Sequence, residues 1–394
     1  MALTQYPAIN PTLLMDFANS AKLDARFQPN RASTATVMGS GGYIVGVGTQ
    51  LPRFRYNAFT GACEGYLVEG QRTNTQTYSA DLTNAVYGKN NVTLNANEIV
   101  APDGSTTGCR VTGTGAGASN ISTSAGIYGL TAPIGTVSFF AKAGTLSEVS
   151  IGDTGFGGRA SFNLSTGVSS GGTMTLFPNG WYRCEATFSF SYEYRVFYLQ
   201  LGSTYPGITT TGYVYMWGVQ VEYGAFASSY IPTTSAQVTR AADIPYIDSG
   251  ENFTTIGGTL LFEGSPREDG ESGLYTFLTG FFSGSTERLC FTASSTGGNL
   301  NVQYGATVLT LGSLPSTPTP IKLIGAFDAS GLAACRDGGA VSTSGALTLG
   351  GANRYFVGNT FFGSGTYTAV NGVIKKIAYW PSKLTNAQLQ KLTS

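Results

Sequence analysis

The stretch Gly212-Tyr-Val-Tyr-Met-Trp-Gly-Val-Gln-Val-Glu222 decides the fold class. Read with a period of two, it places Tyr213, Tyr215, Trp217, Val219 and Val221 on one face, and Val214, Met216, Gly218, Gln220 and Glu222 on the other. The first face is expected to meet a core, with Trp217 in it. The same alternation recurs upstream. In Trp181–Phe190, Ala186, Phe188 and Phe190 oppose Thr187 and Ser189. In Arg195–Leu201, Phe197, Leu199 and Leu201 oppose Val196, Tyr198 and Gln200. Strands with one apolar and one polar face belong to antiparallel sandwiches. Clusters of Gly, Ser, Thr, Asn and Pro separate such runs, and helical periodicity is almost missing. The chain reads as all-β, with two antiparallel sandwiches of the jelly-roll kind.

Local signals fill in this outline. Asp337-Gly338 is a hairpin-type turn after the run Leu332–Arg336. The one helix is expected at the end: Thr385-Asn-Ala-Gln388 matches a capping box, and Leu384, Leu389 and Leu392 would pack on a sheet to seal its edge or end. Trp380 is expected beneath that helix. Breaks in alternation near Gly70–Tyr78 and near Pro232–Tyr246 divide the chain into residues 1–75, 76–235 and 236–394. No short repeat suggests a propeller or solenoid.

Composition removes whole classes of chemistry. The 394 residues contain no histidine, so Ser-His-Asp and Cys-His nucleophiles, HExxH zinc sites and imidazole proton shuttles are excluded. Twenty-two basic residues balance twenty-two acidic ones without a basic run, which argues against nucleic acid as a partner. The charged share is 11%, against about 25% in ordinary globular chains, yet 42% of residues are apolar, enough for packed cores. Five scattered cysteines, Cys63, Cys109, Cys184, Cys290 and Cys335, form no CxxC pair and read as buried free thiols in a protein folded in a reducing cytoplasm. No signal peptide and no span of about 20 apolar residues is evident, so membrane insertion is not expected. Gly39-Ser-Gly-Gly42 and Gly113-Thr-Gly-Ala-Gly117 lack a following Lys-Ser/Thr and read as turns, not phosphate loops.

Several blocks resemble a known family. Asn30-Arg31-Ala-Ser-Thr-Ala-Thr36, Leu51-Pro-Arg-Phe54, Gly65-Tyr-Leu-Val-Glu-Gly-Gln-Arg-Thr-Asn74 and Tyr78-Ser79 are similar, in order, to a module of tailed-bacteriophage structural proteins with the pattern RASTAT, PRF, GLLIEEQRTNLL and YS. Gly70 stands here where an acid is usual, and Thr75-Gln76 where leucines are. Val137-Ser-Phe-Phe-Ala-Lys142, Gly180-Trp-Tyr-Arg183, Trp217-Gly-Val-Gln-Val-Glu222, Ser229-Tyr-Ile-Pro-Thr233 and Thr239-Arg-Ala-Ala-Asp243 resemble the carbohydrate-binding-module-like jelly roll that follows in those proteins. Gly358-Asn359, Asn371-Gly-Val-Ile374, Ala378-Tyr-Trp-Pro381 and Leu384-Thr-Asn-Ala-Gln-Leu389 look like the end of a concanavalin-like, laminin-G-like sandwich.

The resemblance implies a virion component, a fibre, spike or capsid decoration, whose residues 1–75 attach to the particle. It implies partners among capsid, portal or tail proteins, and assembly as a homotrimer. Host surface polysaccharide is a further expected partner, because aromatic rings stack on pyranose faces while amides and carboxylates bind hydroxyls. Tyr192, Tyr194, Tyr198 and Gln200 are the candidate glycan contacts; packing beneath a loop or a neighbouring subunit is the competing role for them. No catalytic residue is assigned. Glycan cleavage needs two carboxylates about 5–10 Å apart, and the Glu-x-Asp strand motif of concanavalin-like glucanases does not occur. No organic cofactor is implied. Glu268-Asp269-Gly270-Glu271 reads as an exposed turn, with structural calcium as its second reading.

Overall fold

The computed structural model describes residues 10–128, 134–153, 159–189, 194–204, 207–248, 256–267, 275–283, 286–294, 298–314, 319–360 and 367–394. It is nearly all β, and its sheets form two sandwiches.

The first sandwich is contiguous in sequence. One six-stranded sheet runs in the order Thr173–Leu176, Trp181–Ser189, Ile134–Ala143, Tyr213–Tyr223, Gly108–Gly113, Val92–Ile99. The other runs Val168–Ser170, Arg159–Asn163, Glu148–Asp153, Tyr194–Leu201, Asn120–Tyr128, Gly88–Asn90. The alternation sets the faces as expected in Trp181–Ser189, where Cys184, Ala186 and Phe188 are buried and Thr187 and Ser189 exposed. Phe197, Leu199 and Leu201 also reach the core, beside Phe139 and Phe162.

The deciding stretch itself departs from simple alternation. Gly218 has φ +64°, and the register against Ile134–Ala143 slips between Ser138 and Phe140. A glycine in the left-handed region makes a β-bulge without steric cost, and one extra residue swaps the faces beyond it. Val214, Met216, Val219 and Val221 therefore face the sandwich interior. Trp217 and Tyr215 pack on the outside of the sheet with Phe140, Trp181 and Tyr230. The expected single face from Tyr213 to Val221 is corrected accordingly, although Trp217 is buried.

The second sandwich draws on both ends of the chain. Its first eight-stranded sheet orders Ser342–Thr343, Gly331–Arg336, Ile321–Asp328, Gly257–Ser265, Gly372–Trp380, Cys63–Val68 and Phe54–Tyr56, with Leu13–Asp16 also paired to Gly372–Trp380. In the second sheet Phe27–Gln28 pairs with Tyr246–Asp248, followed by Arg354–Val357, Tyr275–Ser283, Thr286–Ser294, Asn299–Tyr304 and Thr307–Ser313. Leu13, Phe17, Phe27, Tyr66 and Val68 thus share one core with Phe262, Phe291, Leu323 and Tyr379. Of residues 1–75, expected as a region apart, the segments Leu13–Asp16, Phe27–Gln28, Phe54–Tyr56 and Cys63–Val68 contribute strands and core to the sandwich whose other strands run from Tyr246–Asp248 to Gly372–Trp380. Where the chain leaves for the first sandwich and returns, Arg72–Asn74 and Val238–Arg240 pair antiparallel, making a two-stranded stem.

The C-terminal helix, Asn386–Thr393, carries the expected capping box between Thr385 and Gln388. It covers a sheet face, not an edge: Leu384 and Leu389 pack with Trp380, Ile324, Ala333 and Cys335. Arg336 to Gly339 makes the expected turn, with Asp337 and Gly338 both at positive φ. All five cysteines are free; four are buried and Cys63 is half-buried. Among the described residues no helix is long and apolar enough to cross a membrane.

Candidate functional site

The blocks of the resemblance come together in space. Arg31, Arg53, Glu69, Arg240 and Asp243 meet at the stem, all nearly excluded from solvent. Arg31 Nη1 donates to Asp243 Oδ1 at 3.1 Å, and its other nitrogens reach the carbonyls of Ser33 and Gly48 at 2.8 and 2.6 Å. Arg53 donates to Glu69 Oε2 at 2.6 Å and to Asp243. Arg240 Nη2 donates to the Gly70 carbonyl at 2.7 Å and lies 3.7 Å from Glu69 Oε2. Glu69 also accepts from Ser229 N and Oγ at 2.8 and 2.6 Å, and Asp243 accepts from Glu69 N at 2.9 Å. Burial alone would raise the Glu69 pKa; the charges of Arg240 and Arg53 with the Ser229 hydrogen bonds outweigh it and hold the carboxyl well below its ordinary value.

Further blocks lock the linker onto the first sandwich. Glu222 accepts from Gln220 Nε2, Ser228 N and Ser228 Oγ at 2.7 to 2.8 Å, while Gln220 Oε1 accepts from Ile231 N at 2.7 Å. Burial pushes the Glu222 carboxyl upward despite these donors. Asn74 Oδ1 accepts from Val221 N at 3.1 Å, and its Nδ2 donates to Ile231 O at 2.8 Å. Ser79 Oγ and Tyr230 OH are 2.7 Å apart. These acids are engaged by internal partners.

Above this junction opens a cleft of about 460 Å³ between elements of both sandwiches. Its floor includes Glu69, Ser228, Ser229 and Tyr230. On the strand Trp181–Ser189 the residues alternating with core Cys184 and Ala186 point outward, which brings Arg183 and Glu185 to one wall. Arg183 Nη2 is fixed by Ser138 Oγ at 3.1 Å and Ser228 O at 2.7 Å, and its Nε lies 3.9 Å from Glu185 Oε1. Across neighbouring strands Arg55 Nε binds Glu64 Oε2 at 2.6 Å. Arg267, just beyond Gly257–Ser265, lies over the Phe226 ring with its guanidinium carbon 4.7 Å from the centroid. Phe59 and Leu176 stand at the cleft 60% and 43% exposed.

No family model and no curated relative matches the chain. Among solved structures, a Trypanosoma rangeli sialidase in complex with the inhibitor DANA aligns with 38% of this chain and 26% of its own, at 15% identity and a TM-score of 0.32. The Ruminococcus gnavus IT-sialidase CBM40 bound to α2,3-sialyllactose aligns over 36% of this chain and 84% of its own, at 12% identity and a TM-score of 0.30. The NanB sialidase from Streptococcus pneumoniae aligns over 37% and 26%, at 12% identity and a TM-score of 0.29. This chain spans about a quarter of the length of those sialidases.

Of the residues singled out from the sequence, Tyr194, Tyr198 and Gln200 lie elsewhere, on the second sheet of the first sandwich. Tyr192 falls outside the described residues, and of Tyr194 the backbone pairing with Tyr128 is described. Tyr198 is half-buried on the face away from the core. Gln200 is 0% exposed and accepts from Ser150 Oγ at 3.0 Å, so it is withdrawn from the surface role expected of it. The Glu268–Glu271 run is outside the described residues. Among the described residues, no three Cys, Asp or Glu side chains converge as metal ligands. The cleft was missed because its walls come from segments over 300 positions apart; the outward Arg183-x-Glu185 pair within a core strand was its one visible signal.

Proposed function

We propose that this chain is a non-enzymatic structural component of a tailed-phage virion, built as a fibre, spike or head decoration and adsorbing to host surface glycans. One observation supports the reading: the blocks that resemble the phage module, with Arg31, Arg53 and Glu69, interlock with those that resemble its following jelly roll, with Ser229, Arg240 and Asp243, as a buried junction between two sandwiches. They are scaffold, which suits a part whose work is done by shape and surface. The 0.3-range structural matches add nothing to it. Assembly as a homotrimer, attachment through virion proteins and residence in the particle belong to the same proposal.

The test is location followed by adsorption. Particles of the phage that encodes the chain are expected to contain it by mass spectrometry, and cryo-EM places it on head or tail; particles lacking it overturn the virion reading. Purified protein is expected to retain host surface polysaccharide in a pull-down, and no retention from any host envelope glycan overturns adsorption. A cement role predicts instead that particles without the protein lose heat resistance while adsorbing normally. Cleavage through paired carboxylates would call on Glu64 and Glu185, the cleft acids outside the junction. Glu64 is already held by Arg55, and no new reducing ends are expected when the protein is incubated with host polysaccharide.

A further inference from the structure

Arg267 stands apart from the other cleft arginines. Among the described residues its guanidinium has neither an ion pair nor a hydrogen bond; it lies over the Phe226 ring, and the charges of Glu185 and Glu69 act on it without touching it. Its main chain is fixed, since its backbone N–H donates to Val370 O at 2.9 Å. A half-buried cation carries a desolvation cost that a facing anion offsets, and a guanidinium is shaped to take a carboxylate through two parallel hydrogen bonds. The surroundings leave positive charge in excess. Among the described residues, Arg55, Arg183 and Arg267 on the cleft walls with Arg31, Arg53, Arg72 and Arg240 behind them are seven guanidinia, against five carboxylates, Glu64, Glu69, Glu185, Glu222 and Asp243. The same cleft offers Phe59, an exposed ring of the kind on which the apolar face of a pyranose stacks, and Ser265 as a polar group for a hydroxyl.

We propose that the cleft binds an acidic saccharide, a carboxylate-bearing polysaccharide of the host surface, with Arg267 receiving the carboxylate and Phe59 stacking against a sugar ring. This rests on the glycan-adsorption reading and gives it a site and a ligand class, away from Tyr198.

The experiment is affinity electrophoresis of the full chain in gels containing polygalacturonate, the same polymer after carboxyl reduction, neutral dextran, or dextran sulfate. Retardation by polygalacturonate is expected, with at least tenfold weaker affinity for the reduced polymer. Arg267→Gln is expected to weaken polygalacturonate binding tenfold or more, and Phe59→Ser, an exposed position that leaves folding intact, about three- to tenfold. Polygalacturonate binding that both variants retain, equal binding of reduced and native polymer, or stronger binding of dextran sulfate than of polygalacturonate overturns the proposal. If host polysaccharide binds wild type and Arg267→Gln alike, adsorption stands and the acidic cleft falls. If neither polygalacturonate nor any host polysaccharide binds wild type, both fall.

Discussion

Two sets of arginines share this molecule's waist and differ in how they are neutralised. In the junction, Arg31, Arg53 and Arg240 each meet a carboxylate and a backbone carbonyl, with almost no exposure. In the cleft directly above, the Arg267 guanidinium lies over a ring and, among the described residues, has no ion pair or hydrogen bond. The residue type is the same, so partners alone separate a structural clamp from a binding group. Breaking the first should cost folding, and changing the second should cost binding while sparing the fold.

The largest effect is expected at Asp243, which serves Arg31 and Arg53 and accepts from Glu69 N. Asp243→Ala leaves buried cations uncompensated, and a loss of about 3–5 kcal/mol in urea unfolding is expected; a loss below about 1 kcal/mol would erase the distinction between the two sets. Acid titration probes the same clamp more gently. The Glu69 carboxyl sits below its ordinary value of 4.5 in the folded state, so its contribution is present in full above about that pH and is lost as pH falls toward the folded pKa. Unfolding followed from pH 6 to pH 3 should show a weaker acid decline in Glu69→Gln than in wild type, from a lower starting stability. Glu222 works in the opposite sense: burial raises its pKa above the ordinary 4.5, so protonation on acidification relieves a buried charge and partly offsets the loss at Glu69.

Tyr230→Phe removes the hydroxyl beside Ser79 without opening a cavity, and a thermal melt should register about 1 kcal/mol. At the small end, Arg267→Gln should leave unfolding within about 0.5 kcal/mol of wild type or slightly above it. A strongly destabilised Arg267→Gln would move that residue into the structural set.

Parts of this arrangement are visible in the sequence because they are local. Alternation assigned the faces of Trp181–Ser189, and the Thr385 and Gln388 spacing marked the final helix. Alternation failed at Gly218 because a period-two template has no place for an extra residue, although a glycine inside an apolar strand is the usual mark of a bulge. The pairing of Leu13–Asp16 and Cys63–Val68 with Gly372–Trp380 has no local signature at all. The cleft follows from that pairing, which carries Arg55 and Glu64 to the rim occupied by Arg267. Arg31, Arg53 and Asp243 drew notice as parts of motifs, while their common destination depended on the same long-range closure.

The stem formed by Arg72–Asn74 and Val238–Arg240 also sets a timetable for synthesis. The first sandwich has all its strands once residue 223 has left the ribosome. The strands Leu13–Asp16, Phe54–Tyr56 and Cys63–Val68, made before that sandwich, must wait for Gly372–Trp380, made after it, before their sheet can close. During translation the nascent chain therefore carries a finished body flanked by unpaired edges, the form most exposed to wrong partners. Pairing across so many residues is slow on its own, and the body between holds the two flanks within reach, turning a search along the whole chain into a meeting at one stem.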